Sequence, residues 1–234
     1  MGTLVVIPAR GGSKGVPNKN IKLLNDVPLI KYTIDTALEI FGRHEIYIST
    51  DSPEIKRYVE SCGIDVPFLR PAELALDHSS SYDVLLHALD FYLNSQGNEP
   101  DTIVLLQPTS PFRTSSQLSQ ALELYRASSD IDMVVSVKGA KSNPYFNLFE
   151  EDENGFLLKS KRQIDVHARQ AAPKVWEFNG AIYIINVASL KKSKLSEFTR
   201  VLKFEMDEVS SHDIDTMFDW EVAELIVAKK SSND

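Results

Sequence analysis

The sequence predicts an α/β fold with a mostly parallel sheet and helices on both of its faces. Short apolar runs alternate along the chain with longer segments whose apolar residues recur every three or four positions. Several of the short runs, such as Leu4–Ile7, are apolar throughout, as expected for parallel strands that are covered on both faces. A chain of 234 residues is long enough to form one such domain, so we expect a single domain over residues 1–234.

The strands are predicted where short segments are apolar and rich in β-branched residues. They are Leu4–Ile7, Glu45–Thr50, Asp65–Phe68, Thr102–Gln107, Asp132–Val137, Ala181–Asn186 and Arg200–Glu205. Between them, apolar residues at helical spacing predict helices whose apolar stripes face the sheet. The stripes are Ile30–Ile34–Leu38–Phe41, Val84–Leu85–Ala88–Leu89–Tyr92, Leu118–Ala121–Leu122–Tyr125 and Phe218–Val222–Leu225–Ile226.

The alternation of strands and helices stops at about residues 138–175. This stretch is polar, and Asn154-Gly155 is a turn signal with apolar residues on either side, which predicts a hairpin. A two-stranded hairpin that leaves the main sheet cannot bury its own apolar face well. We therefore expect this excursion to contact a second copy of the chain in a homodimer.

The most informative local feature is the loop after the first predicted strand. It contains Arg10, Lys14 and Lys19 among several glycines, and no acidic residue occurs before Lys22 although the formal net charge of the chain is -8. A buried strand that leads into a glycine-rich, cationic loop can present backbone N–H groups and positive charges to a phosphate. The loop is therefore predicted to bind a polyphosphate. The alternative is an ordinary flexible surface loop, since such loops also collect glycine, asparagine and lysine.

Two other motifs resemble this loop and are rejected. A Walker A loop needs Gly-Lys followed by Ser or Thr, whereas Ser13 precedes Lys14 here. The stretch Gly11–Gly15 matches the G-x-S-x-G pattern of serine hydrolases, but that serine must lie on a turn that leads directly into a helix. Here Pro17 and its polar neighbours prolong the loop, and no helical pattern begins before about Leu29.

Composition excludes several classes of protein. No apolar run approaches the roughly 20 residues that a membrane span needs, and no signal peptide is recognisable, so we expect a cytoplasmic protein without a membrane partner. Cys62 is the only cysteine, which excludes an internal disulfide and a zinc site built from cysteines. The acidic balance and the lack of a basic face with interleaved aromatic residues argue against nucleic-acid binding.

Polar residues follow most of the predicted strands, at the sheet edge where ligands bind in open parallel sheets. The two carboxylates of Asp213-Ile214-Asp215 would lie on the same side of an extended backbone and suit Mg²⁺. The alternative is that Asp215 only caps the following helix. Asp130-Ile131-Asp132 has the same tripeptide sequence but precedes a strand, so we interpret it as a turn. Asp51 also ends a strand, and either contacts a ribose or has no role in binding.

Taken in order, these segments resemble the acylneuraminate cytidylyltransferases, the CMP-sialic acid synthetase family. The resemblance spans nearly the whole chain, and its specificity comes from the order of blocks that are each weak alone. The blocks are Ile7–Ile21, Ser49–Ser52, Arg70–Ser81, Leu106–Arg113, Asn179–Tyr183 after Arg169-Gln170, and Asp213–Asp215. It implies a Rossmann-like nucleotidyltransferase fold with a dimerisation excursion. It also implies an enzyme that uses Mg²⁺ to join CTP to a nine-carbon 2-keto sugar acid, releasing pyrophosphate.

The resemblance also implies roles for individual residues. The CTP phosphates and ribose would be held by Arg10, Ser13, Lys19 and Asn20, and the cytosine pocket would include Arg70 and Ser81. The sugar acid would be contacted by Gln107, Arg169, Asn179 and Tyr183, and Mg²⁺ by Asp213 and Asp215. Arg10, Lys19 and Asp215 would take part in catalysis, with Asp215 as the candidate base.

The segment Asn143–Asn147 departs from the sialic acid synthetases, which often have a lysine in that stretch. It looks more like relatives that act on legionaminic acid or another nonulosonic acid. Trp176 and Phe178 lie near the expected sugar site, where an apolar wall would favour an acylated or deoxygenated sugar. Two alternatives stay open: an enzyme that activates a shorter keto-sugar acid such as Kdo, and a non-catalytic nucleotide-binding dimer.

Overall fold

The computed structural model describes residues 2–76, 79–162, 164 and 168–231. Its strands are β1 (Thr3–Pro8), β2 (Leu23–Leu24), β3 (Val27–Pro28), β4 (Ile46–Ser49), β5 (Thr102–Leu105), β6 (Met133–Gly139), β7 (Phe149–Glu151), β8 (Leu157–Lys159), β9 (Trp176–Asn186) and β10 (Val201–Glu205). Its α-helices are α1 (Leu29–Leu38), α2 (Pro53–Ser61), α3 (Ser81–Gln96), α4 (Ser115–Ala127), α5 (Val187–Leu190) and α6 (Met217–Ser231).

The central sheet has the strand order β10-β6-β9-β5-β1-β4. Strand β1 pairs in parallel with β4 and β5, and β10 pairs in parallel with β6. Only β9 is antiparallel to its neighbours in this sheet, β5 and β6. The predicted mostly parallel sheet is confirmed. Because β9 runs the other way, its residues up to Tyr183 lie beside the carboxyl ends of β5 and β6, where Tyr183 pairs with Leu105 and Phe178 pairs with Val137.

Helices cover both faces of the sheet, as predicted. On one face, α1, α2 and α4 pack through buried residues such as Ile34, Val59 and Leu118 against Val5 and Ile7. On the other face, α3 packs with α5 against the alternate residues of the same strands. Strand β1 is fully buried over Leu4–Ile7, which explains its continuous apolar sequence.

A third, smaller core joins the two ends of the chain. Trp220 and Ala223 of α6 pack against Val16, Leu24 and Leu29, and Ile214 lies in the same cluster. The stripe predicted for this helix is wrong at two of its residues, since Phe218 is 72% exposed and Leu225 is 63% exposed, whereas Ile226 packs against this core. Apolar residues lie on more than one side of α6, so their spacing does not show which side is buried.

The segment Asp65–Phe68 is not a strand, which corrects another prediction. It has extended backbone and buries Val66, but it pairs with no strand and instead connects α2 to Arg70.

The hairpin predicted in the excursion is present: β7 pairs with β8, and Gly155 in its turn has a φ of 83°. Among the described residues, no helix combines the length and apolar character that a membrane crossing requires.

Candidate active site

A cleft of about 240 Å³ lies at the carboxyl ends of β1 and β5. Most of the residues predicted to hold phosphates and metal lie together around it. Its lining includes Arg10, Ser13, Lys19, Asn20, Arg70, Gln107, Thr109 and Asp215. These residues come from chain segments up to two hundred positions apart, and the parallel strands bring them to one edge.

The glycine-rich loop is held by hydrogen bonds with two side chains. The Asp51 carboxylate accepts a hydrogen bond from the Gly11 N–H at 2.9 Å, and the Asn20 amide donates to the Arg10 carbonyl at 2.9 Å. A 3₁₀ turn over Lys19–Ile21 follows, and no α-helix begins before α1. The loop therefore lacks the strand–turn–helix geometry of a hydrolase nucleophile.

Lys19 connects this loop to the predicted metal ligands. Its Nζ donates to the Ile214 carbonyl at 2.6 Å and lies 3.4 Å from Asp215 Oδ1, while its side chain is only 11% exposed. Gly15 permits the close approach, because a Cβ at this position would lie 1.9 Å from the Asp215 carbonyl oxygen. The loop thus depends on glycine here for steric reasons.

Arg70 is a buried cation whose charge is only partly compensated. Its side chain is 4% exposed, and Nη2 lies 3.7 Å from Asp51 Oδ1. Among the described residues, Nε and Nη2 have no hydrogen-bond partner. Burial, together with the nearby charge of Arg10, lowers the pKa of Arg70 although Asp51 opposes this effect. A buried donor without a partner at the wall of a cleft indicates a place for an anion or a ligand acceptor.

A second cavity of about 310 Å³ adjoins the cleft and shares Arg10, Arg70 and Gln107 with it. It is also lined by Ser81 and by the apolar side chains of Leu74, Leu76, Val84 and Leu105. Ser81 is the first residue of α3, and Ser80 is the residue that caps this helix. Asp77 and His78, which belong to the sequence block before α3, lie outside the described residues.

The Asp213 carboxyl is half-buried. Burial is the main reason that its pKa is raised, and the charge of Asp215 adds to this, while Thr109, Lys19 and Ser110 act in the opposite direction. Ser110 Oγ lies 3.3 Å from Asp213 Oδ1. A desolvated carboxylate beside a second carboxylate attracts a cation, so the pair fits Mg²⁺, which usually takes one or two protein carboxylates together with substrate phosphates. Among the described residues, no cluster of three or more His, Cys, Asp or Glu could hold a metal.

Asp215 does not cap the helix that follows, which removes one alternative. Thr216 does so: its Oγ1 accepts from the Asp219 N–H at 3.2 Å, and the Asp219 carboxylate accepts from the Thr216 N–H at 2.7 Å. This is a reciprocal capping box. The Asp215 side chain is 74% exposed and lines the cleft, so its oxygens are accessible to a ligand.

The four residues predicted to contact the sugar acid lie in different places. Gln107 lines both cavities. Tyr183 is largely buried, and burial together with the charge of Asp213 raises its pKa to about 12. Asn179 is fully buried, with both polar atoms of its amide bonded inside the protein. Arg169 lies on the excursion, where its guanidinium donates to the Lys141 carbonyl at 2.7 Å, and it lines neither cavity.

Sequence reasoning missed two residues that support the site. Asp51 holds both the glycine-rich loop and Arg70. Arg113 is completely buried, and its guanidinium donates to Thr33 Oγ1 at 2.8 Å and to the Gln107 carbonyl. Burial lowers the pKa of Arg113 to about 9, opposed by the charge of Asp213. Its position after a strand end was visible in the sequence, but its burial was not.

A larger cavity of about 540 Å³ lies at the opposite end of the sheet, beside Thr3 and Thr102. Two of the acids that line it are already in ion pairs, Glu99 with Lys191 and Asp130 with Arg200. None of the buried polar atoms without a hydrogen-bond partner belongs to its lining. The smaller cleft therefore has the chemistry of a binding site, and the larger cavity does not.

Comparison with known proteins agrees with this geometry. The cytidylyltransferase family model matches residues 4–184. The chain is 36% identical to the N-acylneuraminate cytidylyltransferase of Escherichia coli O18:K1:H7 over 97% of its own length, and it spans 52% of that relative. It is also 36% identical to the CMP-N,N'-diacetyllegionaminic acid synthase of Legionella pneumophila, with 97% of both chains covered.

Solved structures show the same fold. The chain resembles CMP:2-keto-3-deoxy-manno-octonic acid synthetase in complex with CTP, with a TM-score of 0.72 and 18% identity over 98% of this chain and 100% of that one. The chain thus spans about half the length of the N-acylneuraminate cytidylyltransferases it matches and nearly all of the legionaminic acid synthase. A family model that matches most of the chain, and a full-length relative at this identity, make this protein a member of the cytidylyltransferase family, of the acylneuraminate type.

Proposed function

We propose that this protein transfers CMP from CTP to the anomeric hydroxyl of a nine-carbon 2-keto sugar acid and releases pyrophosphate. One observation carries the proposal: three cations, Arg10, Lys19 and Arg70, line a single cleft that also contains Asp215. A cluster of positive side chains in a chain with a formal net charge of -8 calls for a strongly anionic ligand.

The triphosphate of CTP suits this cleft. Lys19 and Arg70 are almost completely buried, so their charges act through a medium of low dielectric constant and are not screened by bulk water. Phosphoryl and nucleotidyl transfer depend mainly on positioning and on neutralising the charge of the phosphates. The adjoining cavity at Ser81, with its apolar lining, would take the cytosine and part of the ribose.

Asp213 and Asp215 would hold Mg²⁺. When bound, the ion would help to neutralise the phosphates of the nucleotide. The sugar hydroxyl attacks the α-phosphorus, an O–P bond forms, and the bond to the β-phosphate oxygen breaks, so that pyrophosphate leaves. Asp215 is our candidate for taking the proton of the hydroxyl, because its exposed carboxylate lines the cleft.

For the sugar we propose an acylated or deoxygenated nonulosonic acid, such as a legionaminic acid. Phe178 is 54% exposed, and its ring packs edge-on to Tyr183 at 6.2 Å between centroids. Such an apolar wall stabilises methyl groups better than hydroxyl groups. Sialic acid is the alternative, and Kdo is a weaker one because the similarity to the Kdo synthetase is structural and at low identity.

The test is pyrophosphate release from CTP and Mg²⁺ with N-acetylneuraminic acid, N,N'-diacetyllegionaminic acid and Kdo as acceptors. We expect release with a nonulosonic acid, fastest with the legionaminic acid. Lys19→Ala should lower kcat/KM by about 100-fold, because it removes a buried charge aimed at the phosphates. Lys31→Ala removes an exposed lysine paired with Asp35 and is the matched control. CTP binding without pyrophosphate release from any acceptor would instead support a non-catalytic binding protein.

We also propose a homodimer formed through the excursion. The large apolar side chains Phe149, Phe156 and Leu157 on this hairpin are 50%, 67% and 67% exposed. Apolar groups in such number on one hairpin indicate an interaction surface. In a dimer, Arg169 would be offered to the partner's cleft, which would explain why it lines neither cavity of its own chain. Phe156→Asp combined with Leu157→Asp should produce monomers in sedimentation-velocity experiments. We further propose that the protein is located in the cytoplasm.

A further inference from the structure

Asn179 lies at a β-bulge between β6 and β9. The pairing of β6 with β9 shifts register between Val135 and Val137, so Ser136 faces the bulge. Asn179 is 2% exposed, and Ser136 is fully buried. Bulges of this kind are common beside active sites, where they redirect a side chain.

The amide of Asn179 uses its whole hydrogen-bonding capacity inside the protein. Its oxygen accepts from Ser136 Oγ at 2.5 Å and from the Ala181 N–H at 3.1 Å. Its nitrogen donates to Ser211 Oγ at 2.8 Å and contacts Met206 Sδ at 3.6 Å. An amide has two donor hydrogens and one oxygen with two lone pairs, so none of these is left for a ligand.

The amide of Asn179 is linked to the loop that carries Asp213. Ser211, which the amide holds, lies two residues before Asp213 on the same loop. The Ser110 hydroxyl lies 3.1 Å from the backbone carbonyl of Asn179 and 3.3 Å from Asp213 Oδ1, and its single hydrogen can be donated to only one of them at a time. The next residue, Gly180, has a φ of 74°, and a Cβ there would lie 3.2 Å from Ser110 Oγ and 3.8 Å from Asp213 Oδ1.

We propose that Asn179 is a positioning residue that holds the Asp213 carboxylate through Ser211, and that it does not contact the sugar acid. This inference rests on the proposed function, in which Asp213 holds Mg²⁺. Mutation of residues that orient a metal ligand from behind typically lowers metal affinity or activity by about 10–100-fold.

The test compares Asn179→Ala with Ser211→Ala. Ser211 is 1% exposed and cannot contact a sugar, so it isolates the positioning route. Affinity for Mn²⁺, as a paramagnetic substitute for Mg²⁺, is measured by electron paramagnetic resonance in the presence of CTP, corrected for Mn²⁺ bound to CTP alone. We expect both variants to weaken Mn²⁺ binding by about 10-fold or more, and the double variant to be little worse than Asn179→Ala.

Steady-state kinetics give a second readout. Both variants should raise the Mg²⁺ concentration needed for half-maximal rate, while the KM for the sugar acid stays close to the wild-type value. Ser189→Ala is the matched control, because it removes a hydroxyl bonded to a different aspartate, Asp132, at 2.8 Å. It should leave Mn²⁺ affinity unchanged.

Unchanged Mn²⁺ affinity in Ser211→Ala would overturn the inference, and so would an Asn179→Ala variant whose only defect is a raised KM for the sugar acid. If Asn179→Ala does not fold, Ser211→Ala decides alone. If the wild-type protein releases no pyrophosphate with any acceptor, the proposed function fails, and the Mn²⁺ titration still decides the role of Asn179. Wild-type protein that binds no Mn²⁺ with CTP would overturn both.

Discussion

The tripeptide Asp-Ile-Asp occurs twice in this chain, in opposite electrostatic settings. In Asp130–Asp132, the Asp132 carboxylate accepts from the Arg200 N–H at 2.9 Å, from the Thr199 N–H at 3.2 Å and from Ser189 Oγ at 2.8 Å. These bonds, that of the Arg200 N–H above all, lower the pKa of Asp132. In Asp213–Asp215, burial raises the pKa of Asp213. A carboxylate with several hydrogen-bond donors from the protein stabilises a fold, whereas a carboxylate whose pKa is raised by burial beside a cleft indicates function.

The first way to test this comparison is activity, where the largest effect is expected. Asp213→Asn should lower kcat/KM for CMP transfer by about 100-fold or more, because the amide removes a charge that the site needs. Asp132→Asn, the same change in the other tripeptide, should leave kcat/KM close to the wild-type value. Pyrophosphate-release kinetics at saturating Mg²⁺ provide the measurement. Equal losses in the two variants would show that the tripeptides do not differ in role.

The second test measures the free energy of unfolding, for which we expect the two variants to rank in the opposite order. Asp132→Asn should lower the free energy of unfolding by about 1–3 kcal/mol, because charged acceptors are lost to three donors that need them. Asp213→Asn should leave it unchanged or raise it, since ionised Asp213 is disfavoured by burial. Urea unfolding at pH 7 with a chelator removes any contribution from bound metal. A less stable Asp213→Asn protein would contradict the raised pKa.

The pH dependence of stability should separate the two sites further. The folded-state pKa of Asp132 is lowered, so its stabilisation exists above the unfolded-state pKa and is lost as the pH falls through the folded-state pKa. The folded-state pKa of Asp213 is raised, so wild-type stability improves as the pH falls through that value. Unfolding curves from pH 7 to below about pH 4 should show both variants converging on the wild type from opposite sides. Parallel curves would refute both assignments.

The smallest expected effect concerns the end of the second tripeptide. Thr216→Ala should cost about 1 kcal/mol of unfolding free energy, because Thr216 caps α6. Asp215→Ala should change stability by less than about 0.5 kcal/mol, since its side chain is exposed and caps nothing. Thermal unfolding of the two variants without metal decides between them. A larger loss in Asp215→Ala would return Asp215 to the role of a cap.

The sequence predicted this molecule best where one physical rule dominates. Leu4–Ile7 is buried on both faces, so its apolar run could only be a central strand, and the residues at the carboxyl ends of β1 and β5 met at one cleft as parallel strands require. The strand prediction for Asp65–Phe68 was wrong because a buried extended segment has the composition of a strand without pairing as one. The composition of a segment does not show whether it pairs with another strand.

The site was predictable in position but not in the direction of its side chains. Asn179 precedes the predicted strand Ala181–Asn186 and was expected to contact the sugar acid, and nothing in the sequence shows that a bulge turns its amide inward. Arg113 and Asp51 were visible as charged residues near strand ends. Their supporting roles depend on burial and on partners far away in the chain, which only the folded structure provides.

The contact between Lys19 and Ile214 has a consequence for how the protein is made. The two residues are separated by 195 positions, and the core of Val16, Leu24 and Trp220 joins the same two regions. A ribosome that has produced Lys19 must still translate 195 further positions before this loop can meet its counterpart. A nascent chain that stops before this point would expose the cationic residues of the loop without Asp213 or Asp215 beside them, so the cleft is complete only after residue 215 has been translated.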